Sequence, residues 1–214
     1  MKSFLLSVLA TATLTGFLLQ PAKKPTALFN GKNFHGWTGD TVNTWRVEDG
    51  AIVGGFADKM VPHNDFLTTA RPYGNFILRL QFKLTGTKGF VNGGVQFHSK
   101  RHTKPAYEMI GYQADIGDKY WGCLYDESRR DKVLARPDSA QALKWVKLND
   151  WNQYEVRSQN GRIRLTLNGH PTVDYTEPDK SIPQSGLIGL QVHGGGITQI
   201  RYRNITIEEL EGTN

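Results

Sequence analysis

The sequence predicts an all-β fold, a sandwich or barrel of short antiparallel strands. Three observations predict it: apolar residues alternate with polar ones at period two, Asn-Gly pairs separate several of the alternating runs, and no long amphipathic helix is present. A half-buried strand shows its side chains alternately to core and solvent, so period two is its signature. Many such runs joined by Gly-rich turns pack as sandwiches or barrels. The sequence shows no internal repeat.

Taken in chain order, the first hairpin runs through Trp45-Arg46-Val47, turns at Glu48-Asp49-Gly50 and returns through Ala51-Ile52-Val53. From Phe76 the apolar residues Phe76, Leu78, Leu80, Phe82 and Leu84 share one face while Arg79, Gln81 and Lys83 take the other. Strands are predicted next at residues 94–98 and 112–116. Residues 154–158, 162–167 and 172–175 form a meander, because Asn160-Gly161 and Asn168-Gly169 supply the two positive-φ positions of tight hairpin turns. The last strands are predicted at 187–193 and 200–207. In the second of these the apolar parity switches from Ile200 and Tyr202 to Ile205 and Ile207, which predicts a bulge near Arg203-Asn204.

The N-terminus predicts export. Lys2 is followed by an uncharged stretch over residues 3–22 with an apolar centre over 4–19, the layout of a secretory signal peptide. Cleavage is expected around Ala22, ahead of Lys23-Lys24. Ser7, Thr11, Thr13, Thr15 and Gly16 make the stretch a poor spanning helix, which wants ~20 predominantly apolar residues. The expected organisation is therefore a signal peptide over 1–22 and one domain over 23–214, periplasmic or secreted, with no stable membrane anchor. About 190 residues suffice for one hydrophobic core and not for two comfortable ones. The only cysteine, Cys123, excludes an intramolecular disulfide, and no cysteine near the leader offers a lipid anchor. The net charge of +6 is scattered through strands and loops rather than gathered on one face, which argues against a nucleic-acid partner.

Alternation also marks candidate site residues. It sets Val95 and Phe97 toward the core and Gln96 and His98 on the opposite face; Gln191 and His193 repeat the pattern against Leu190 and Val192, and Gln113 and Asp115 share a face. Each pair alone is an ordinary solvated strand face. Together, Gln, His and Asp suit hydroxyl recognition and proton transfer better than the Lys, Glu and Thr usual on surface strands. Tyr107, Tyr112, Tyr120, Trp121 and Tyr125 cluster around these strands, and such rings stack on sugars or complete a core. The loop from Leu124 to Asp131 mixes Asp126, Glu127, Arg129 and Arg130, while Arg101 and Glu108 flank another loop nearby. His35, His63, His102 and His170 show no metal-ligand spacing, so no cofactor is predicted, although nothing in the sequence excludes a divalent metal. The Gly-x-Ser-x-Gly elbow, the phosphate-binding Gly loop and the His-Glu-x-x-His helix are all missing.

Several segments in order carry a family resemblance. They include Leu28-Phe29-Asn30-Gly31-Lys32-Asn33-Phe34-His35-Gly36-Trp37, Trp45-Arg46-Val47-Glu48-Asp49-Gly50-Ala51-Ile52, Asn92-Gly93-Gly94-Val95-Gln96-Phe97 and Gly111-Tyr112-Gln113-Ala114-Asp115-Ile116. Leu124-Tyr125-Asp126-Glu127, Trp151-Asn152-Gln153-Tyr154, Leu167-Asn168-Gly169 and the run from Gly186 to Gly195 continue it. Over nearly the whole mature chain, the sequence resembles the 3-keto-disaccharide hydrolase domain, long labelled a domain of unknown function. The resemblance implies a concanavalin-like jelly roll with its site on the concave sheet, and cleavage of glycosides oxidised at C3. The sequence departs from the family at His98, where many relatives carry Arg. A C3 ketone acidifies the hydrogen at C2, so elimination of the C1 substituent followed by water addition needs a base, a donor for the enolate and an acid. His193 or Asp115 is the expected base and Glu108 the expected acid, with Gln96, His98, Arg101, Gln113, Trp121, Tyr125, Glu127 and Gln191 as substrate-binding residues. An ordinary two-carboxylate glycosidase is disfavoured because no strand carries Glu-x-Asp-x-x-Glu. A non-catalytic carbohydrate-binding module is the alternative that aromatic and polar strand faces would serve equally well.

Overall fold

The structure, a computed structural model, describes residues 24–212. Among these residues the chain forms β1 (Thr26–Ala27), β2 (Trp37–Thr38), β3 (Trp45–Glu48), β4 (Ala51–Gly55), β5 (Asp65–Thr69), β6 (Phe76–Gly89), β7 (Asn92–Arg101) and β8 (Met109–Gly117). Then follow β9 (Leu124–Glu127), β10 (Lys132–Ala135), the short helix α1 (Ser139–Trp145), β11 (Asn152–Gln159), β12 (Arg162–Leu167), β13 (His170–Thr176), β14 (Leu187–Val192) and β15 (Gly196–Glu209). The predicted signal peptide lies outside the described residues. No described helix is long and apolar enough to cross a membrane.

The strands make two antiparallel sheets packed as a concanavalin-like jelly-roll sandwich. One has the order β13-β12-β11-β6-β15-β4-β3, with β1 paired to β15; the other has the order β10-β9-β8-β7-β14-β5-β2. The predicted meander is β11-β12-β13, and its turns hold Asn160, Gly161, Asn168 and Gly169 at φ of 53°, 79°, 49° and 83°. The predicted bulge is also present: the β15 register shifts between Arg203 and Thr206, with Asn204 at φ 52°.

The core lies between the sheets. Phe76, Leu78, Leu80, Phe82 and Leu84 of β6 meet Val95, Phe97, Ala114, Ile116 and Leu190 from the second sheet in one cluster. Burying each large side chain contributes about 2 kcal/mol, and with no disulfide available this packing holds the sandwich. Two tyrosines fasten the layers at polar points. The Tyr202 hydroxyl lies 3.0 Å from the Gly94 carbonyl and 2.8 Å from that of Gln191, and the Tyr154 hydroxyl donates to the Asp115 carbonyl at 3.3 Å.

One expected placement fails here. His98 does not share the face of Gln96, because the β7 register slips between Phe97 and Lys100 and His98 itself takes a left-handed φ of 46°. Its ring packs edge-on against Phe76, Phe97 and Tyr112, and Nε2 donates to the Gly74 carbonyl at 2.9 Å. Burial lowers its pKa to about 4 despite that hydrogen bond, so His98 is a neutral core residue.

Candidate active site

The outer face of the second sheet is polar because period two leaves it the residues the core did not take. On β7 these are Asn92, Gly94 and Gln96; on β8, Gln113 and Asp115; on β9, Tyr125 and Glu127. His193 follows the end of β14. Gln113, Asp115, Tyr125, Glu127 and His193, with Asn92, Phe90 and Tyr120, line one pocket of about 130 Å³. Six residues singled out from the sequence, Tyr120 among them, thus meet in one place. Asn92 and Phe90 were not named, although Asn92 has the same parity as Gly94 and Gln96 and was legible on that ground.

A one-way chain of hydrogen bonds runs beneath the pocket. Ser99 Oγ donates to Gln96 Oε1 at 2.6 Å, Gln96 Nε2 to Gln113 Oε1 at 3.2 Å, and Gln113 Nε2 to Asp115 Oδ1 at 2.8 Å. Gln96 is fully buried and acts through Gln113 rather than at the pocket wall. Gly94 makes the arrangement possible, since a Cβ there would stand 2.7 Å from the Gln113 Cδ.

The carboxyls are tuned to hold protons. Burial raises the Asp115 pKa well above 3.8 and the nearby Glu127 charge adds to it, against the Gln113 hydrogen bond and Arg136. Glu127 is raised to about 7, first by burial and then by Glu108, Asp131 and Asp126. The other charges of this loop pair among themselves: Asp126 binds Arg129 and Arg130, and Arg130 also holds Glu177 at 2.8 Å. Alternation in β9 turns Asp126 away and leaves Tyr125 and Glu127 at the pocket.

His193 is tuned the other way. Nδ1 lies 2.7 Å from the Gly194 carbonyl, which only accepts, so Nδ1 carries the hydrogen and Nε2 is left with the lone pair. Burial lowers its pKa, partly offset by this bond, and Phe90 packs edge-on at 4.6 Å. The ring is therefore neutral at pH 7. The following turn is fixed by Asn64, which accepts from the Gly194 amide at 3.0 Å and donates to Glu108 Oε1 at 3.0 Å.

The other expected residues fall outside the pocket wall. Glu108 sits beside Asn64, its pKa raised by burial, and reaches the site through its field on Glu127. Arg101 donates to the Phe66 carbonyl at 2.7 Å and the Thr38 carbonyl at 3.2 Å, tying β7 to the sheet edge. Gln191 is fully buried, and neither atom of its amide has a partner among the described residues. Trp121 stacks on Phe82 at 6.3 Å and belongs to the core, where a ring this large gains most from burial. Among the described residues no group of three or more His, Cys, Asp or Glu side chains could hold a metal ion.

Fold and pocket together define a concanavalin-like jelly roll with a small polar pocket on the outer face of its second sheet. The 3-keto-alpha-glucoside-1,2-lyase-like domain matches residues 24–208, and the chain belongs to that family. Among solved structures it is similar to a candidate glycosyl hydrolase from Parabacteroides distasonis, with 24% identity, 88% of this chain and 100% of the other covered, and a TM-score of 0.63. It is similar also to the carbohydrate-binding module CBM66 from Bacillus subtilis, at 18% identity over 81% of this chain and 96% of the module with a TM-score of 0.62. A Bacillus subtilis protein of unknown function with a galectin-like fold is 10% identical over 84% and 92% of the two chains, with a TM-score of 0.59. No curated protein matches the chain. These likenesses establish the jelly roll, and the family ties the chain to carbohydrate chemistry.

Proposed function

We propose that the protein cleaves glycosides oxidised at C3, by elimination across C1 and C2 followed by hydration. One observation carries this reading: a neutral histidine with a free Nε2 shares a pocket with two carboxyls held above their usual pKa, in a member of this family. Elimination next to a ketone needs that combination of base and acid.

His193 Nε2 takes the C2 hydrogen, and its electrons move into the enolate of the C3 ketone. The side-chain amides of Asn92 and Gln113 line the pocket and are the hydrogen-bond donors at hand for that oxygen. Collapse of the enolate breaks the C1–O bond as protonated Asp115 gives its proton to the departing oxygen, leaving a C1–C2 double bond conjugated to the ketone. Water then adds at C1 while ionised Glu127 takes its proton, and His193 returns the first proton to C2. The Glu127 proton restores Asp115, so the sum is glycoside plus water giving keto sugar plus alcohol. Glu127 replaces Glu108 as the second carboxyl because it lines the pocket. Tyr125 offers its ring to the sugar face. The N-terminal pattern supports an activity outside the cytoplasm.

The test is incubation with methyl 3-keto-glucoside and with methyl glucoside, each with and without chelator. Cleavage of the keto sugar alone is expected. Cleavage of the parent alone would identify an ordinary glycosidase, and binding of either without cleavage would identify a carbohydrate-binding module, the reading that the likeness to CBM66 favours. Loss of cleavage on chelation would add a metal to the site.

A further inference from the structure

Phe90 stands at the turn between β6 and β7, outside the core cluster and 37% exposed. Its ring nevertheless lies edge-on to His193 at 4.6 Å and to Tyr120 at 6.1 Å, and it lines the pocket with both. The backbone fixes this placement. The Phe90 amide donates to the Gly195 carbonyl at 3.1 Å, and the Phe90 carbonyl accepts from Thr198 Oγ at 3.5 Å. The two turns approach so closely that neither has room for a side chain at the contact. A Cβ on Gly89, whose φ is 76°, would stand 2.2 Å from the Gly195 oxygen, and one on Gly196 would stand 2.3 Å from the Phe90 oxygen. The glycines at 194–196 are thus the seat on which the residue-90 turn rests, directly after His193.

We infer that Phe90 is a positioning residue for His193, its ring shielding the imidazole from water and holding it with Nε2 toward the pocket. The inference rests on the proposed role of His193 as base. Three contacts define the imidazole: its own amide donates to the Asn92 carbonyl at 3.1 Å, Nδ1 donates to the Gly194 carbonyl, and Phe90 is the aromatic ring packed against it. The first two set the backbone and the tautomer. Only the third covers the ring. An apolar cover disfavours the imidazolium, in line with the lowered pKa of His193, and a neutral ring is what a base needs. The titratable groups that face His193 are Asp115 from β8, Tyr120 from the turn after it, and Tyr125 and Glu127 from β9. On the remaining side the backbone of His63 meets Gly194.

The experiment compares Phe90→Ala, which uncovers the imidazole, with Phe90→Leu, which keeps an apolar cover; circular dichroism checks that both are folded. With methyl 3-keto-glucoside, water admitted by Phe90→Ala raises the His193 pKa toward the ordinary 6.5, so the acid limb of the kcat/KM profile moves to higher pH. The loss relative to wild type should then be greater at low pH than at pH 8. Phe90→Leu should keep the limb where the wild type has it. An unmoved limb in folded Phe90→Ala, or an equal movement in both variants, would overturn the role and leave the cleavage reading intact. If the keto sugar is not cleaved, the cleavage reading fails, and NMR titration of the His193 Cε1 proton reads the shielding alone. His193→Gln identifies that resonance by its loss, and a Glu127→Gln background removes the neighbouring carboxyl from the titration. A higher midpoint in Phe90→Ala than in Phe90→Leu and the wild type supports the shield; coincident midpoints overturn it.

Discussion

His193 and His98 show how far two histidines on similar strand patterns can diverge. His193 follows the end of β14, keeps one nitrogen free and borders the pocket; His98 sits where β7 slips and is enclosed by three aromatic rings. If His193 is the base, His193→Gln slows cleavage by ~10²–10⁴-fold with little change in substrate affinity. The same variant stops exchange of the C2 hydrogen with deuterated solvent, which NMR follows directly. Glu127 gives a stability signature. Its folded pKa of about 7 exceeds the ordinary 4.5, so the folded protein binds the proton more tightly than the unfolded chain does. The stabilisation that this proton brings is complete below pH 4.5 and lost as pH rises through about 7. Glu127→Gln, which never ionises, should therefore be more stable than the wild type at pH 8, by about 2 kcal/mol after allowance for screening, and equal to it below pH 4.5. Denaturant titrations at the two pH values measure this, and equal stability at pH 8 would remove the buried charge from the account.

Single strands of the second sheet serve two tasks at once. The core face of β7 packs Val95 and Phe97, while its outer face offers Asn92, the gap at Gly94 and the support of Gln96. Gly94→Ala tests the coupling, because the added methyl meets the Gln113 side chain rather than backbone. The variant should fold, judged by circular dichroism, and lose about tenfold in kcat/KM as the bond to Asp115 is broken. Wild-type turnover in Gly94→Ala would mean that the glutamine chain does not govern Asp115. In β9, four residues divide the same way: Asp126 anchors two arginines, and Tyr125 and Glu127 look into the pocket.

At the scale of the molecule, the two sheets are joined by packing and by a few buried hydroxyls. Tyr202 reaches from β15 to the backbone of both β7 and β14, the strands that carry Gly94 and lead to His193. Tyr202→Phe should cost about 1 kcal/mol, which a melting curve reads as a fall of about 2–4 °C for a domain of this size. No change would mean that the two carbonyls are satisfied without it. Export is checked on the whole chain: mass spectrometry of the mature protein should find its first residue at Lys23 or Lys24. Intact Met1 in a membrane fraction would contradict cleavage.

The sequence by itself determined an all-β fold of short antiparallel strands, since period-two alternation and Asn-Gly turns are local and each strand states which of its faces is buried; alternation left sandwich or barrel open, and the family resemblance pointed to the sandwich. The same alternation made Gln113, Asp115 and His193 visible as polar residues on strands or at their ends, whereas Glu127 was visible only within a charged run read as a loop, which the structure shows to begin as the strand β9. Only the tertiary structure decided which of them meet. Strand order is a long-range property: β7 lies between β8 and β14, which are far apart in the chain, and that neighbourhood brings Asp115 and His193 to one pocket. His98 and Trp121 could not be sorted from the sequence, because a register slip reverses a side chain's face without any change in composition, and an aromatic ring suits a core as well as a sugar. The proton-holding carboxyls were equally hidden. A pKa shift arises from burial and neighbouring charge, and those exist only once the second sheet has folded and brought Asp115 and Glu127 to one pocket.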